Sequence, residues 1–191
     1  MNIDSPLREL GPVNSEALRD VILSLDDETW RENLTRQEEF EVHRSTESVV
    51  MYFVNLDQWP DVEVTKEPGF KYLSELALPL MNDIITRCYQ PGGTVIRAMA
   101  AKLLAGQKIT RHWDKHPSFH CGHRIHIPIT TNPRVRFMID GQPYRFKVGE
   151  AYEINNQLHH SVMNKGNEDR ITFIFDYVPK EEIEKLSANA V

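Results

Sequence analysis

Two side chains of types that bind metal ions, His112 and Asp114, are separated by one residue in the segment Arg111-His112-Trp113-Asp114. Alternate side chains of an extended segment lie on one face, so the imidazole and the carboxylate can reach the same ion while Trp113 points away. A second histidine from a distant strand would complete a set of two histidines and one carboxylate. Such a set leaves neighbouring coordination positions of the metal open. An iron ion needs these open positions to bind a chelating co-substrate and O2 at the same time.

The doublet His159-His160 supplies candidates for the second histidine, and Arg170 follows ten residues after His160. Adjacent side chains of a strand face opposite ways, so only one of the two histidines can bind the ion. A buried guanidinium is costly unless an anion pairs with it, and the carboxylate of a dicarboxylic acid is a natural bidentate partner. We therefore expect Arg170 to bind an anion inside the fold. The alternative is a surface ion pair of Arg170 with Glu168 or Asp176.

Histidine is concentrated in the second half of the chain, which holds all but one of the eight. His116, His120 and His123 follow the first candidate ligand on a predicted loop, and such loops often cover an active site. We interpret these three as substrate-contacting or surface residues. For any one of the histidines, ordinary structural hydrogen bonding is the competing interpretation. Cys121 lies among them, but a thiolate suits zinc better than an oxygen-activating iron.

Apolar spacing divides the chain into a mixed N-terminal part and a strand-rich C-terminal part. Helical periodicity predicts helices over residues 14–25 and 73–89. Alternation, β-branched composition and turn residues predict strands over residues 48–56, 94–104, 123–129, 135–139, 143–148, 151–154 and 170–178. The dipeptide Asp140-Gly141 falls between two of these strands and is a strong hairpin signal.

Short strands separated by turns predict a mainly β fold with flanking helices and an antiparallel jelly-roll core. A chain of 191 residues is long enough for one domain with a well-filled core. We expect a single domain over residues 1–191. Its helix-rich N-terminal part (1–93) would pack on the jelly-roll core (94–178), and the tail (179–191) would form a short solvated helix.

Composition excludes several other classes of protein. The formal net charge of −6 provides no basic surplus to neutralise phosphates, so we expect no nucleic-acid partner. No apolar run approaches the roughly 20 residues of a membrane span, and the N-terminus lacks the features of a signal peptide. Two cysteines do not make a disulfide framework. These features predict a cytoplasmic protein without a membrane partner.

Five motifs occur in an order typical of one enzyme family. They are His112-Trp113-Asp114, Arg124-Ile125-His126-Ile127-Pro128-Ile129, Val148-Gly149-Glu150, His160-Ser161-Val162-Met163-Asn164 and Arg170-Ile171-Thr172-Phe173-Ile174-Phe175-Asp176. With them, residues 96–177 resemble the aspartyl/asparaginyl β-hydroxylase family, which includes certain proline hydroxylases, within the Fe(II)/2-oxoglutarate-dependent dioxygenase superfamily. The N-terminal part resembles the family only loosely.

The resemblance implies a double-stranded β-helix, a jelly-roll and cupin-like core with iron(II) at the mouth of the barrel. It implies the following roles: His112, Asp114 and His160 as metal ligands, Arg170 as the partner of the distal 2-oxoglutarate carboxylate, and Arg124 and His126 as contacts to the other end of the co-substrate or to the substrate. Substrate contacts are also expected from His159, His116 and Trp113. One departure is the hydroxylated residue that usually assists the arginine, which has no counterpart near Ala100-Ala101-Lys102.

These features predict an Fe(II)-, 2-oxoglutarate- and O2-dependent hydroxylase acting on an sp3 carbon of an amino acid, free or within a peptide, with release of succinate and CO2. The alternative is a cupin-like metal-binding protein: an isomerase, a dioxygenase that needs no 2-oxoglutarate, or a ligand sensor. Such proteins usually bind their metal with three histidines, and the carboxylate together with Arg170 argues against them.

Overall fold

The computed structural model describes residues 3–32 and 45–189, which form two antiparallel β-sheets and four α-helices. The strands are β1 (Leu7–Pro12), β2 (Thr46–Val54), β3 (Val64–Lys66), β4 (Thr94–Leu103), β5 (Lys108–His112), β6 (His123–Pro128), β7 (Val135–Ile139), β8 (Gln142–Tyr144), β9 (Glu150–Ile154), β10 (His160–Asn164) and β11 (Arg170–Val178). The helices are α1 (Glu16–Ser24), α2 (Asp27–Arg31), α3 (Phe70–Cys88) and α4 (Lys180–Asn189), and a 3-10 turn spans Pro117–Phe119.

The two sheets face each other across a narrow interior. The large sheet has the strand order β1-β9-β6-β11-β4-β2-β3, and the small sheet has the order β5-β10-β7-β8. Side chains from both sheets line one cavity, including Ala101 and Arg124 from the large sheet and Phe137 and His160 from the small sheet. This is the double-stranded β-helix that the sequence predicts.

The main hydrophobic core lies outside the barrel, between the large sheet and helices α1 and α3. Ile125, Phe173 and Phe175 are fully buried on the outer face of β6 and β11, in one cluster with Leu73 and Ile84 of α3. Successive side chains of a strand point to opposite faces. The same strands are therefore free to carry polar side chains on their inner face, and β11 does so.

A tight hairpin fixes the register of the small sheet. Asp140 and Gly141 both have positive φ, 47° and 77°, which is the backbone of the type I′ turn that suits a two-residue hairpin. On its other edge β7 pairs with β10, where Ile139 lies opposite His160. His160 is in turn opposite His112 of β5. Asp140 of the turn also donates its backbone N–H to the carbonyl oxygen of His159 at 2.8 Å, which links the turn to the start of β10.

The predicted helices and most predicted strands are present, with ends that differ by a few residues. The predicted strand over 143–148 is wrong beyond residue 144, because the chain leaves β8 there. The predicted elements also do not include α2 or the strands β1, β3, β5 and β10. The helix-rich N-terminal part therefore supplies three strands to the large sheet. The solvated helix of the tail is α4, and residues 190–191 of that prediction lie outside the described residues. Among the helices of residues 3–32 and 45–189, none has the length and apolar character to span a membrane.

Candidate metal centre

The ends of β5 and β10 bring His112, Asp114 and His160 together. One donor atom from each of the three lies within 4.8 Å of the other two. The imidazole rings of His112 and His160 have centroids 4.4 Å apart, and Oδ1 of Asp114 lies 3.8 Å from Nε2 of His112. The three donors are close enough for one metal ion to lie among them, and two imidazoles with one carboxylate suit iron(II).

Backbone contacts fix the tautomer of both histidines. Nδ1 of His112 lies 2.7 Å from the carbonyl oxygen of Thr110, and Nδ1 of His160 lies 2.9 Å from that of Leu158. A carbonyl oxygen only accepts hydrogen bonds, so each neutral ring donates from Nδ1 and keeps a lone pair on Nε2. Burial also lowers the pKa of His160, which favours the neutral, metal-binding form.

The Asp114 carboxylate is held as an anion in a nearly dry environment. Burial by itself would raise its pKa, but the positive charge of Arg124, followed by His160 and His112, lowers the pKa below the usual value. Nη1 of Arg124 lies 3.1 Å from Oδ2 of Asp114. The backbone N–H of Asp114 donates to the carbonyl oxygen of Asn156 at 3.1 Å, which ties this residue to the loop before β10.

Arg124 lines the cavity between the two sheets, and the structure gives it carboxylate partners that the sequence does not predict. Besides the contact to Asp114, its Nε and Nη2 donate to Oδ1 and Oδ2 of Asp176 at 2.9 and 3.0 Å. A guanidinium has five N–H groups, so the predicted contact to the co-substrate or substrate stays a prediction, but all three nitrogens lie against protein carboxylates. The sequence could not show this, because Asp176 is 52 residues away and lies opposite Arg124 only through the pairing of β6 with β11.

Arg170 is buried on the inner face of β11 and lines the same cavity as His112 and His160. Within residues 3–32 and 45–189 its guanidinium forms no ion pair. The guanidinium carbon Cζ lies 5.7 Å from the centroid of the Phe137 ring. Burial lowers the pKa of Arg170 to about 10. The alternative of a surface ion pair with Asp176 or Glu168 is wrong, because Arg170 is 5% exposed. A buried cation without a protein anion is what a site for an anionic ligand requires.

His126 lines the same cavity as His112, His160 and Arg170. It is 5% exposed on the inner face of β6, and its ring contacts Phe137 and Phe146 edge-on at centroid distances of 5.8 and 6.2 Å. Its position on the cavity wall agrees with the predicted contact to the co-substrate or substrate.

The other predicted substrate residues lie around the centre. Trp113 is 36% exposed and His159 is exposed, each next in sequence to a proposed ligand but on the opposite face. His116 begins the 3-10 turn, where its Nδ1 accepts from the backbone N–H of Ser118 at 3.2 Å. Cys121 does not join the metal-binding group, because its thiol contacts the carbonyl oxygen of Ser118 at 3.5 Å.

The comparison that decides the family concerns most of the chain. The family model described as aspartyl/asparaginyl beta-hydroxylase matches residues 26–179. The chain belongs to the aspartyl/asparaginyl β-hydroxylase family. It is therefore a hydroxylase, and the histidine–aspartate–histidine group fits the Fe(II), 2-oxoglutarate and O2 that such an enzyme uses. No curated protein sequence matches this member of the family.

Solved structures share the fold of this family member at low sequence identity. The nickel complex of the non-heme monooxygenase ThoJ is 11% identical, with a TM-score of 0.57 over 91% of this chain and 73% of that one. A viral collagen prolyl hydroxylase from Paramecium Bursaria Chlorella virus-1, in complex with 2OG, is 10% identical, with a TM-score of 0.52 over 92% and 96%. A 2OG-Fe(II) oxygenase family protein from Burkholderia pseudomallei is 12% identical, with a TM-score of 0.52 over 70% and 67%.

Two buried polar residues of β11 have no site role predicted from the sequence. Thr172 and Asp176 share the inner face of β11 with Arg170 because they follow it at even spacing. The Thr172 hydroxyl is buried, and no hydrogen-bond partner is found for it in the part of the chain that is described. Strand alternation could have predicted the inward direction of both side chains, but not their partners.

Proposed function

We propose that the chain uses Fe(II), O2 and 2-oxoglutarate to hydroxylate an sp3 carbon of an amino acid, free or within a peptide, with release of succinate and CO2. The observation that carries the proposal is the combination of two features in one cavity. His112, Asp114 and His160 present donor atoms to a common point. Arg170 is buried beside them without an anion from the described protein.

Each of these side chains would have a distinct task. His112, Asp114 and His160 would hold the iron by three positions and leave three open. Iron(II) bound with 2-oxoglutarate and O2 supplies the oxidising power for attack on an unactivated C–H bond. Arg170 would orient the distal carboxylate of 2-oxoglutarate through two parallel N–H donors. Arg124 and His126, which line the same cavity, would contact the rest of the co-substrate or the substrate.

The cavity must adapt to accept this co-substrate. Its volume is about 40 Å³, which is room for one to a few water molecules. The walls include flexible or small side chains such as Arg170, Ile109 and Val162. We propose that binding of the co-substrate moves these side chains apart and pairs the Arg170 charge with a carboxylate.

The substrate is proposed from the family and from the exposed rim of the centre. Trp113 and His159 are exposed next to proposed ligands, where they could contact a substrate that covers the open positions of the iron. The viral prolyl hydroxylase and ThoJ share the fold alone at 10% and 11% identity, so they do not select among substrates.

An anaerobic titration tests the proposal. Addition of 2-oxoglutarate to the Fe(II)-loaded protein should produce the weak visible absorption of the iron–2-oxoglutarate chelate. His160→Ala should abolish it, because one of three ligands is lost, whereas His159→Ala is the matched control and should retain it. A band that survives in His160→Ala but is lost in His159→Ala would show that His159, and not His160, binds the iron. Absence of the band in the wild type would refute the proposal.

Arg170→Met separates a binding role from a structural one. The substitution removes a buried charge that no described protein anion compensates, so the free energy of unfolding should be unchanged or higher. The concentration of 2-oxoglutarate needed to form the chelate should rise at least about 100-fold, since a charge-assisted pair of hydrogen bonds contributes about 3 kcal/mol or more. A destabilised variant with normal 2-oxoglutarate affinity would show that Arg170 is structural.

A further inference from the structure

Asp176 lies at the centre of a buried group of charges beside the metal-binding residues. It is 3% exposed on the inner face of β11. Strand pairing places it opposite Arg97 of β4 and Arg124 of β6. Its carboxylate accepts from Arg124 at 2.9 and 3.0 Å, and from Nη1 of Arg97 at 3.3 Å. Asp176 does not belong to the metal-binding group of His112, Asp114 and His160.

Arg124 connects Asp176 to Asp114. Two of its nitrogens bind Asp176, and the third, Nη1, lies 3.1 Å from Oδ2 of Asp114. Oδ1 of Asp114 lies on the side of His112, 3.8 Å from its Nε2. A guanidinium is planar and its donors have fixed directions. Fixing two of them on Asp176 therefore fixes where Nη1 meets Oδ2 of Asp114, with which it forms an ion pair rather than a hydrogen bond.

The environment of this group strengthens its contacts. The ring of Phe119 covers both guanidinium groups, with its centroid 4.2 Å from Arg97 and 4.7 Å from Arg124. Nη2 of Arg97 donates to the hydroxyl of Ser118 at 2.6 Å. Charged hydrogen bonds that are shielded from water are stronger and more directional than exposed ones. Although burial opposes the charge of Arg124, Asp176 and Asp114 raise its pKa, so the guanidinium stays charged.

We propose that Asp176 is a positioning residue of the metal centre: through Arg124 it holds Oδ2 of Asp114 away from the ion, so that Asp114 offers the single oxygen Oδ1. A carboxylate bound through one oxygen occupies one coordination position instead of two. Three positions then stay open for the co-substrate and O2. This inference rests on the proposed metal centre, because it concerns how one of the three ligands is oriented.

The test uses Co(II) as a probe under anaerobic conditions, because its visible bands report coordination number and its affinity can be titrated without turnover. Asp176→Asn keeps the shape of the side chain but removes its charge and one acceptor. We expect the dissociation constant for Co(II) to rise about 10- to 100-fold, as for other partners of metal ligands. We also expect the visible spectrum to change, because Asp114 is free to bind through both oxygens or to turn away.

Glu153→Gln is the matched control. Glu153 is also fully buried in the large sheet. Its carboxylate also has cationic or ionisable partners: Arg8 at 2.7 Å, His123 at 2.5 Å and the hydroxyl of Tyr89 at 2.9 Å. In the pairing of β9 with β6, Glu153 lies opposite Ile125, whose side chain is on the outer face, and not opposite Arg124. The substitution should therefore cause a comparable loss of stability but leave the Co(II) affinity within about twofold of the wild type and the spectrum unchanged.

A double-mutant cycle tests whether Asp176 acts through Arg124. In an Arg124→Gln background, Asp176→Asn should cause no further loss of Co(II) affinity, because the connection is already broken. Additive losses would show that Asp176 acts by another route. Should Asp176→Asn fail to fold, Arg124→Lys takes its place, because a single ammonium cannot reach both carboxylates. It should alter the Co(II) spectrum in the same way.

The outcomes separate this inference from the proposed function. If the wild type binds Co(II), His112→Ala does not, and both Asp176→Asn and Arg124→Lys have the wild-type spectrum and affinity, the inference is wrong and the metal centre stands. If the wild type binds no Co(II), or His112→Ala binds it equally well, the proposed metal centre itself is wrong.

Discussion

The inner face of β11 shows how single residues divide between folding and function. Arg170, Thr172 and Asp176 all point into the barrel, but only Asp176 has its charge compensated by described protein groups. A buried polar group without a partner destabilises the folded state by about 1–3 kcal/mol. Arg170 and the hydroxyl of Thr172 both carry such a penalty. Polar groups left in this state beside a cavity are candidates to contact a ligand.

Thr172→Val tests whether its hydroxyl assists Arg170. The change removes a buried, unpartnered hydroxyl with little change in shape, so the free energy of unfolding should rise by about 1 kcal/mol. If the hydroxyl donates to the distal carboxylate of 2-oxoglutarate, the dissociation constant should rise about tenfold or more. Urea unfolding and anaerobic calorimetric titration measure the two quantities.

Thr130→Val is the contrasting control for Thr172→Val. The Thr130 hydroxyl donates to the carbonyl oxygen of Asp169 at 3.0 Å and accepts from the backbone N–H of Ile171 at 2.9 Å. Its loss should lower the free energy of unfolding by about 1–2 kcal/mol without affecting 2-oxoglutarate. Unchanged 2-oxoglutarate affinity in Thr172→Val would leave the hydroxyl without a role in binding.

At the scale of elements, the turn between β7 and β8 has consequences at the metal centre. The backbone N–H of Asp140 donates to the carbonyl oxygen of His159 at 2.8 Å, next to His160, which β10 places opposite His112. Asp140 and Gly141 form the turn, and both have positive φ. The strand pairs then carry the geometry from the turn to the ligands.

Gly141→Ala should weaken the fold without altering the centre. A Cβ at this position would meet no atom within 4 Å, so the effect comes only from the φ of 77°, which an alanine adopts less readily. We expect the free energy of unfolding to fall by about 1 kcal/mol. Co(II) affinity should stay unchanged, because the native register remains the most stable one. If the variant stays folded but loses Co(II) binding, strain in the turn has shifted the strand register.

Sequence patterns predicted local features and missed those that depend on strand order. The composition of β11 and the Asp140-Gly141 dipeptide are local signals, and each was sufficient to predict its element, a strand and a hairpin turn. β1 gave no such signal, since Gly11 and Pro12 interrupt it and it is a strand only through pairing with β9. The pairing of Arg124 with Asp176 could not be predicted, because the two residues meet only when β11 lies next to β6.

For the whole molecule, the large sheet separates the hydrophobic core from the site. The outer face, with helices α1 and α3, carries the main cluster of fully buried apolar side chains. The inner face carries the charged residues and the cavity between the sheets. We therefore expect substitutions on the outer face of a strand to change stability, and substitutions on its inner face to change ligand binding.

Two neighbours on β11, Phe173 and Ile174, provide the test of this separation. Phe173 is fully buried in the outer cluster, whereas Ile174 lines the cavity. Phe173→Leu should lower the free energy of unfolding by about 1–2 kcal/mol, and the melting temperature by roughly 2–8 °C, with Co(II) and 2-oxoglutarate affinity unchanged below the transition. Ile174→Phe should instead fill a cavity of about 40 Å³ and weaken 2-oxoglutarate binding more than tenfold, while the metal alone still binds. Equal effects of both substitutions on 2-oxoglutarate affinity would mean that the sheet transmits changes in packing from one face to the other, and that the core and the site are coupled.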